Sequence, residues 1–128
     1  VPNDRQFSDE QIKALVDRGA VIGGVLDAWM LISGWRRGET TPESSGVKLE
    51  HLLDHMDHIC QLTGSANHIG IGTDLDGGYG LEQSPGDMDT IADLQRLPEM
   101  LEAKGYPSED VIGVMHGNFM RFLNNAWS

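Results

Sequence analysis

Two short apolar runs place the strongest constraint on how this chain folds. They are AVIGGVL at residues 20–26 and HIGIGT at residues 68–73, and one amphipathic segment separates them at residues 47–62. Short runs without polar alternation are typical of strands buried on both faces, as in parallel sheets. The order strand, helix, strand therefore predicts two adjacent parallel strands, with Asp27 and Asp74 at the same edge of the sheet.

Helices are expected on either side of these strands. Ser8 and Gln11 have the spacing of a capping box, and further helical patterns cover residues 88–96, 98–104 and 108–114. The chain then ends in an amphipathic segment, GNFMRFLNNAW. Two strands are too few for a parallel sheet whose faces are both covered. We therefore expect the end of a larger α/β fold, such as a (β/α)8 barrel, which needs ~250 residues.

The charge balance argues against several classes of partner. The formal net charge is −11, whereas nucleic acids and anionic membrane surfaces attract clusters of Lys and Arg. No nucleic acid and no membrane contact are therefore expected for this segment.

A lone Cys60 cannot form an internal disulfide, so the cellular compartment stays open. The chain begins at Val1 without an initiator Met or a signal-peptide pattern, so we expect it to start inside a longer protein.

The second apolar run ends in two carboxylates, Asp74 and Asp76, followed by glycines. In α/β folds the chemistry lies at the carboxyl ends of parallel strands, although Asp-Gly is also ordinary turn chemistry. An EF-hand calcium loop is excluded, because its sixth and twelfth positions would be Tyr79 and Pro85 rather than Gly and Glu.

The same two aspartates also resemble the D-x-D-G motif of haloacid-dehalogenase phosphohydrolases. In that interpretation Asp74 is the nucleophile and Asp76 the general acid, with Mg²⁺ bound beside them. That motif opens its domain, however, whereas here only residues 77–128 follow it. The phosphohydrolase therefore remains an alternative rather than the leading interpretation.

Four longer stretches carry a more extensive resemblance. They are DRQFSDEQIKALVDRGAVIGGV, LEHLLDHMDHICQLTG, HIGIGTDLDGG and YPSEDVIGVMHGNFMRFLNNAW. In their order and spacing they resemble the membrane (renal) dipeptidase family, zinc peptidases of the amidohydrolase superfamily. The resemblance implies an α/β fold, a (β/α)8 TIM-type barrel. Residues 1–128 would form a single C-terminal fragment of it: two parallel strands, the seventh and eighth, with flanking and terminal helices.

The resemblance also implies an activity and roles for particular residues. The complete protein would hydrolyse a dipeptide or similar small substrate at a binuclear zinc site. By position, Asp74 matches the aspartate that holds and deprotonates the attacking water, and Arg5 matches the arginine that binds the substrate's C-terminal carboxylate. The family's zinc ligands are expected upstream of Val1. This chain alone is therefore expected to contribute no metal ligand, to bind no zinc tightly and to be inactive.

Several expectations concern residues outside these roles. Asp76 precedes two glycines and is expected to cap the turn through local backbone hydrogen bonds. Common family members carry an Asn and an aromatic residue at the end of strand seven, where this chain has Val25, Leu26 and Asp27. The identity of the substrate therefore stays open.

An alternative function is that of a non-catalytic remnant, or of a chain that assembles with a partner. A homo-oligomer is a further expectation.

Two polar clusters could be mistaken for binding sites. The first has the i, i+3, i+4, i+7 spacing of one helix face and consists of His51, Asp54, His55 and His58. This face lies opposite the apolar stripe of the same helix, so we expect it to meet solvent or a neighbouring helix rather than zinc. The second cluster is Arg36 and Arg37, which could contact an anionic substrate but is expected to be a solvated loop pair.

Overall fold

The computed structural model describes residues 1–128 as a mixed α/β arrangement of short elements. The helices are α1 (Asp9–Val16), α2 (Ala28–Leu31), α3 (Pro42–Ser45), α4 (Leu49–Thr63), α5 (Leu97–Ala103), α6 (Ser108–Ile112) and α7 (Asn118–Trp127). The strands are β1 (Ile22–Val25) and β2 (Ile69–Thr73). Two 3₁₀ helices span Leu81–Gln83 and Ile91–Arg96, and a π-helical turn spans Gly113–Gly117. None of the helices combines the length and the apolar character needed to cross a bilayer.

The predicted strand pairing is confirmed. β1 and β2 are parallel neighbours, with Ile22 beside Ile69. Both strands are shorter than the apolar runs that predicted them. β1 ends at Val25, and Asp27, two residues further on, is the N-cap of α2. The two strands and the helix α4 between them form one β-α-β unit. The sheet has two strands, so the barrel itself stays a prediction.

One face of the two-stranded sheet packs against α4. The backbone of β1 approaches this helix closely at Gly24, where an added Cβ would lie 2.5 Å from Cδ1 of Leu52. Burial of apolar side chains at this interface supplies most of the stabilisation of the unit. The largest of the fully buried apolar side chains are Leu26, Leu49, Leu52, Leu53, Ile69, Leu97, Leu101, Val47 and Val114.

Glycines line the opposite face of the sheet. Gly23 of β1 lies against Gly72 of β2, and the ring of Phe119 covers Gly70. Asn118 fixes the position of this ring, because its buried side chain donates hydrogen bonds to the carbonyls of Ala66 and Ile69, both at 2.8 Å. The start of α7 is therefore held at the amino end of β2 by polar contacts and by one aromatic ring.

The helix predictions are confirmed in part. Ser8 and Gln11 form the expected capping box at the start of α1. The prediction of a helix over residues 88–96 is wrong, because only a 3₁₀ helix at Ile91–Arg96 forms there, with Thr90 as its cap. The segment between β1 and α4 contains α2 and α3, which begin at the capping residues Asp27 and Thr41. Such short, locally capped helices bury too few apolar residues to show a clear periodicity.

We expect Gly70→Ala to destabilise the fold, because its Cβ would overlap the ring of Phe119. The expected loss is about 1–3 kcal/mol of unfolding free energy, the usual cost of overpacking a filled site. Gly24→Ala is the matched control, since its Cβ would meet the terminal methyl groups of Leu52 and Met56 rather than a rigid ring, and it should cost less. Urea denaturation measures both variants. An equal or smaller loss for Gly70→Ala would contradict the close packing of Phe119 against β2.

Candidate functional site

The carboxyl ends of β1 and β2 form one edge of the sheet, and each is followed by an aspartate. The amide of Leu26 donates a hydrogen bond to the carbonyl of Thr73 at 2.8 Å, which holds the two strand ends together. Asp27 and Asp74 follow directly, so the structure confirms that both lie at this edge. In parallel α/β folds this edge is where ligands bind.

The backbone that presents Asp74 is strained. Thr73 and Asp74 have φ angles of 44° and 61°, the left-handed region that favours glycine, and Thr73 is β-branched. Asp74 donates its amide to the carbonyl of Gly72 at 2.7 Å, which closes a three-residue turn. The pairing also skips one residue, because Gly24 lies beside Ile71 and Val25 beside Thr73. Such bulges redirect side chains and are frequent next to active sites.

The prediction that Asp76 caps this turn is wrong. The turn is held by the amide of Gly77, which donates to the backbone carbonyl of Asp74 at 3.0 Å, and by Thr73, whose Oγ1 accepts from the amide of Leu75 at 3.5 Å. The Asp76 side chain is exposed instead. The turn is therefore held by backbone contacts and by the Thr73 hydroxyl, and the Asp76 carboxylate accepts no hydrogen bond from it.

Arg5 and Asp74 line the same cavity, which has a volume of about 630 Å³. Gln6 holds the N-terminal segment in place, because its Nε2 donates to the carbonyl of Met30 at 2.7 Å. The cavity also runs along all four residues of β1, Ile22–Val25, on the edge that carries no partner strand. The structure thus brings together the two residues assigned by resemblance.

Asp27 has a structural role that the sequence did not reveal. Its buried carboxylate accepts hydrogen bonds at Oδ1 from the amide of Trp29 at 3.0 Å and from Nε2 of Gln83 at 2.8 Å. The first bond caps α2, and the second ties the loop after β2 to the end of β1. Gln83 is far from Asp27 along the chain, so no local spacing could have indicated the second bond.

Tyr79 is a second residue of this edge that sequence reasoning missed. Its hydroxyl is buried without a hydrogen-bond partner. Burial, and then the neighbouring carboxylates of Asp74, Asp27 and Asp76, raise the pKa of Tyr79 above the ordinary value of 10.0. The phenol therefore stays neutral among carboxylates, as an unused donor. The ring of Tyr79 reaches the carboxyl edge of the sheet because the chain turns at Gly77 and Gly78.

The polar face of α4 forms separate contacts rather than a metal site. His55 donates from Nε2 to the carbonyl of Leu31 at 2.9 Å, and His58 pairs with Asp9 at 2.8 Å. Asp54 pairs with Lys104 at 2.7 Å, and His51 accepts at Nδ1 from the amide of Lys48 at 3.0 Å. No three His, Cys, Asp or Glu side chains of the chain are grouped so that they could hold a metal ion. This face therefore joins α4 to its neighbours, as its position opposite the apolar stripe predicted.

The β-α-β unit thus has a carboxylate after each strand at its carboxyl edge, the edge at which the active sites of (β/α)8 barrels lie. The model of one family, described as membrane dipeptidase (peptidase family M19), matches residues 1–127. The chain belongs to this family. Its assignment by resemblance is thereby confirmed.

Two curated relatives match almost the whole chain. An uncharacterized protein in the pqqA 5′ region of Klebsiella pneumoniae is 29% identical over 126 residues, which are 98% of this chain and 42% of that protein. The dipeptidase aclJ of Aspergillus oryzae is 23% identical over 125 residues, 98% of this chain and 27% of that protein. The chain therefore spans less than half the length of these relatives.

The two tyrosines of the chain provide a test of this geometry. Tyr106 also has its pKa raised above 10.0, by burial and then by hydrogen bonds with Cys60 and with Asp57, whose Oδ1 accepts its hydroxyl at 2.9 Å. An ultraviolet titration of the folded protein should therefore show no tyrosinate forming near pH ~10, the value of a free tyrosine.

The same raised pKa values give stability a defined pH dependence. Below pH ~10 tyrosine is neutral in both the folded and the unfolded states, so the full free energy of unfolding is retained. As the pH rises further, the unfolded chain loses protons that the folded chain retains, and the free energy of unfolding falls. Tyr79→Phe and Tyr106→Phe should each make this alkaline loss less steep. Tyrosinate formation near the ordinary pH in the folded protein would show that these rings are not enclosed.

Proposed function

We propose that the complete protein carrying this segment is a zinc-dependent dipeptidase, and that residues 1–128 form the C-terminal part of its barrel. Membership of the membrane dipeptidase family and a relative named as a dipeptidase support a dipeptidase-like hydrolase. The observation that carries the proposal for the site is that Asp74, on a strained left-handed backbone, lines one cavity with Arg5.

In this proposal Asp74 is the proton acceptor. Its carboxylate is not needed for the turn, which backbone hydrogen bonds hold, so it is free to accept a hydrogen bond from water. A positioned carboxylate can take a proton from the attacking water and give it to the leaving amine. The strain at Thr73 and Asp74 is a cost of about 1–3 kcal/mol per residue that a purely structural turn would not require.

Arg5 is proposed to bind the C-terminal carboxylate of the dipeptide. Its side chain is exposed into the shared cavity, while its backbone amide is held by Oδ1 of Asn3 at 2.9 Å. A guanidinium group presents two parallel N–H donors to a carboxylate, which fixes the orientation of the substrate as well as its charge. The scissile peptide bond is next to that carboxylate, so this contact would hold it within the cavity that Asp74 also lines.

The residues of this segment do not fit a zinc ion by themselves, because they contain no group of three suitable side chains. We propose that the preceding part of the protein supplies the ligands, and the roles proposed for Asp74 and Arg5 involve no step on the metal. The haloacid-dehalogenase alternative gains nothing from the geometry, since Asp76 is exposed and, unlike Asp74, does not line the cavity.

In the full-length protein we expect Asp74→Asn to keep the fold and to lower kcat by ~10²–10⁴-fold, the usual loss on removing a general base. Asp76→Asn is the matched control, because it makes the same change two residues away on an exposed side chain. Its effect on stability should stay within about 0.5 kcal/mol, as is usual for surface positions. Dipeptide hydrolysis and thermal denaturation of both zinc-loaded variants test this.

Two results would contradict these assignments. If Asp74→Asn remains active while Asp76→Asn is folded and inactive, the roles are reversed and the phosphohydrolase must be reconsidered. If the folded, zinc-loaded wild-type protein hydrolyses no dipeptide, it is a remnant or an assembly partner rather than an enzyme of this class.

The 128-residue chain alone should bind zinc only weakly, because its candidate ligands are dispersed among separate partners. Titration calorimetry with zinc chloride measures this directly. Tight binding of one zinc per chain would show that His51, His55 and His58 can be brought together, and would contradict their assignment as contacts between helices.

A further inference from the structure

Arg37 lies in the loop that follows β1 and α2, outside the lining of the cavity that Arg5 and Asp74 share, and it reaches the carboxyl edge of the sheet beside Asp27. Its guanidinium carbon lies 4.3 Å from the ring centroid of Trp29, a distance at which a cation is attracted to the face of an aromatic ring. This stacking limits the freedom of a long side chain and holds the guanidinium beside Asp27. Loops at this edge supply the residues that distinguish substrates in barrel enzymes.

The contact between Arg37 and Asp27 leaves the arginine available to a ligand. Nη2 of Arg37 lies 3.8 Å from Oδ2 of Asp27, too far for a hydrogen bond. The Asp27 carboxylate is already bonded through Oδ1 to Trp29 and Gln83. Its negative charge therefore orients the guanidinium without occupying the N–H donors.

Exposure decides which charge a ligand would meet. The side chain of Arg37 is 58% exposed and that of Asp27 only 2%. A cationic group cannot reach the buried carboxylate, whereas an anionic group can reach the guanidinium. A carboxylate matches the parallel N–H donors of arginine and forms two charge-assisted hydrogen bonds with it.

Arg36 differs from Arg37 although the two are adjacent. It pairs with Glu39 at 3.5 Å within the loop, and both side chains are mostly exposed, at 78% and 71%. Such a pair contributes little and has no fixed direction. Both arginines are exposed loop residues, as expected, but only Arg37 is held in a fixed orientation, by its stacking on Trp29.

We propose that Arg37 is a specificity-determining residue that binds a second carboxylate of the substrate, so that the enzyme prefers dipeptides with an acidic side chain. This inference rests on the proposed dipeptidase function. Arg5 is assigned to the terminal carboxylate, which every dipeptide has, so Arg37 would discriminate only through the side chain. The net charge of −11 would not by itself attract such substrates, and a local, oriented cation is therefore required.

The test uses the full-length, zinc-loaded protein and two matched substrate pairs, Ala-Glu with Ala-Gln and Glu-Ala with Gln-Ala. Within each pair only the charge differs, and kcat/KM is measured for all four. We expect the wild-type protein to prefer the acidic member of at least one pair by about 10- to 100-fold, the range of a charge-assisted contact. Arg37→Gln should abolish that ratio. Arg36→Gln, which removes the same charge next to it, should leave the ratio unchanged.

The outcomes separate this inference from the function on which it rests. Hydrolysis of neutral and acidic dipeptides without a preference in either pair would overturn the role of Arg37 and leave the dipeptidase function intact. An equal loss of the ratio in Arg36→Gln would also overturn it, because the effect would then come from overall charge. Failure to hydrolyse any of the four substrates would overturn both. If Arg37→Gln does not fold, Arg37→Lys takes its place, since it keeps the charge but not the two parallel donors and should lower the ratio.

Discussion

The parallel pairing of β1 with β2 is the interaction on which the rest of the structure depends. Hydrogen bonds from Ile22 to His68 and from Leu26 to Thr73, both 2.8 Å, enclose the paired segment at its two ends. Parallel strands run in the same direction, so the residues that follow the two strands lie at the same edge of the sheet. Because α4 must span the length of the strands in reverse, its apolar stripe is buried against the sheet and its polar face meets α1, α2 and the loop after α5.

Because glycine has no side chain, other side chains can pack closely against both faces of the paired strands. On one side the backbone of β1 lies against Leu52, and on the other the ring of Phe119 occupies the space that a side chain at Gly70 would need. The absence of side chains on the second face also brings Gly23 and Gly72 together where the pairing skips a residue. The bulge that redirects Asp74 is therefore a consequence of the same small residues that allow close packing.

Energetically costly groups are concentrated at one edge. Left-handed backbone at Thr73 and Asp74, a buried hydroxyl without a partner at Tyr79 and a buried carboxylate at Asp27 all lie at the carboxyl ends of the strands. Nε1 of Trp35, in the loop after α2, is a further buried donor without a hydrogen-bond partner, whereas the capping box of α1 follows local rules. A protein retains such costs where function requires them, which agrees with a catalytic role for this edge.

The order of strands and helices, the parallel pairing, the capping box and the position of Asp74 could all be predicted from the sequence, because each follows from local propensity or the direction of the chain. The prediction that Asp76 caps the turn was wrong. The sequence also did not indicate the burial of Tyr79, the hydrogen bond from Gln83 to Asp27 or the stacking of Arg37 on an aromatic ring. These features depend on contacts between distant segments and on a bulge that turns a side chain. Tertiary packing alone decides them, since the same residues in an isolated loop would be solvated.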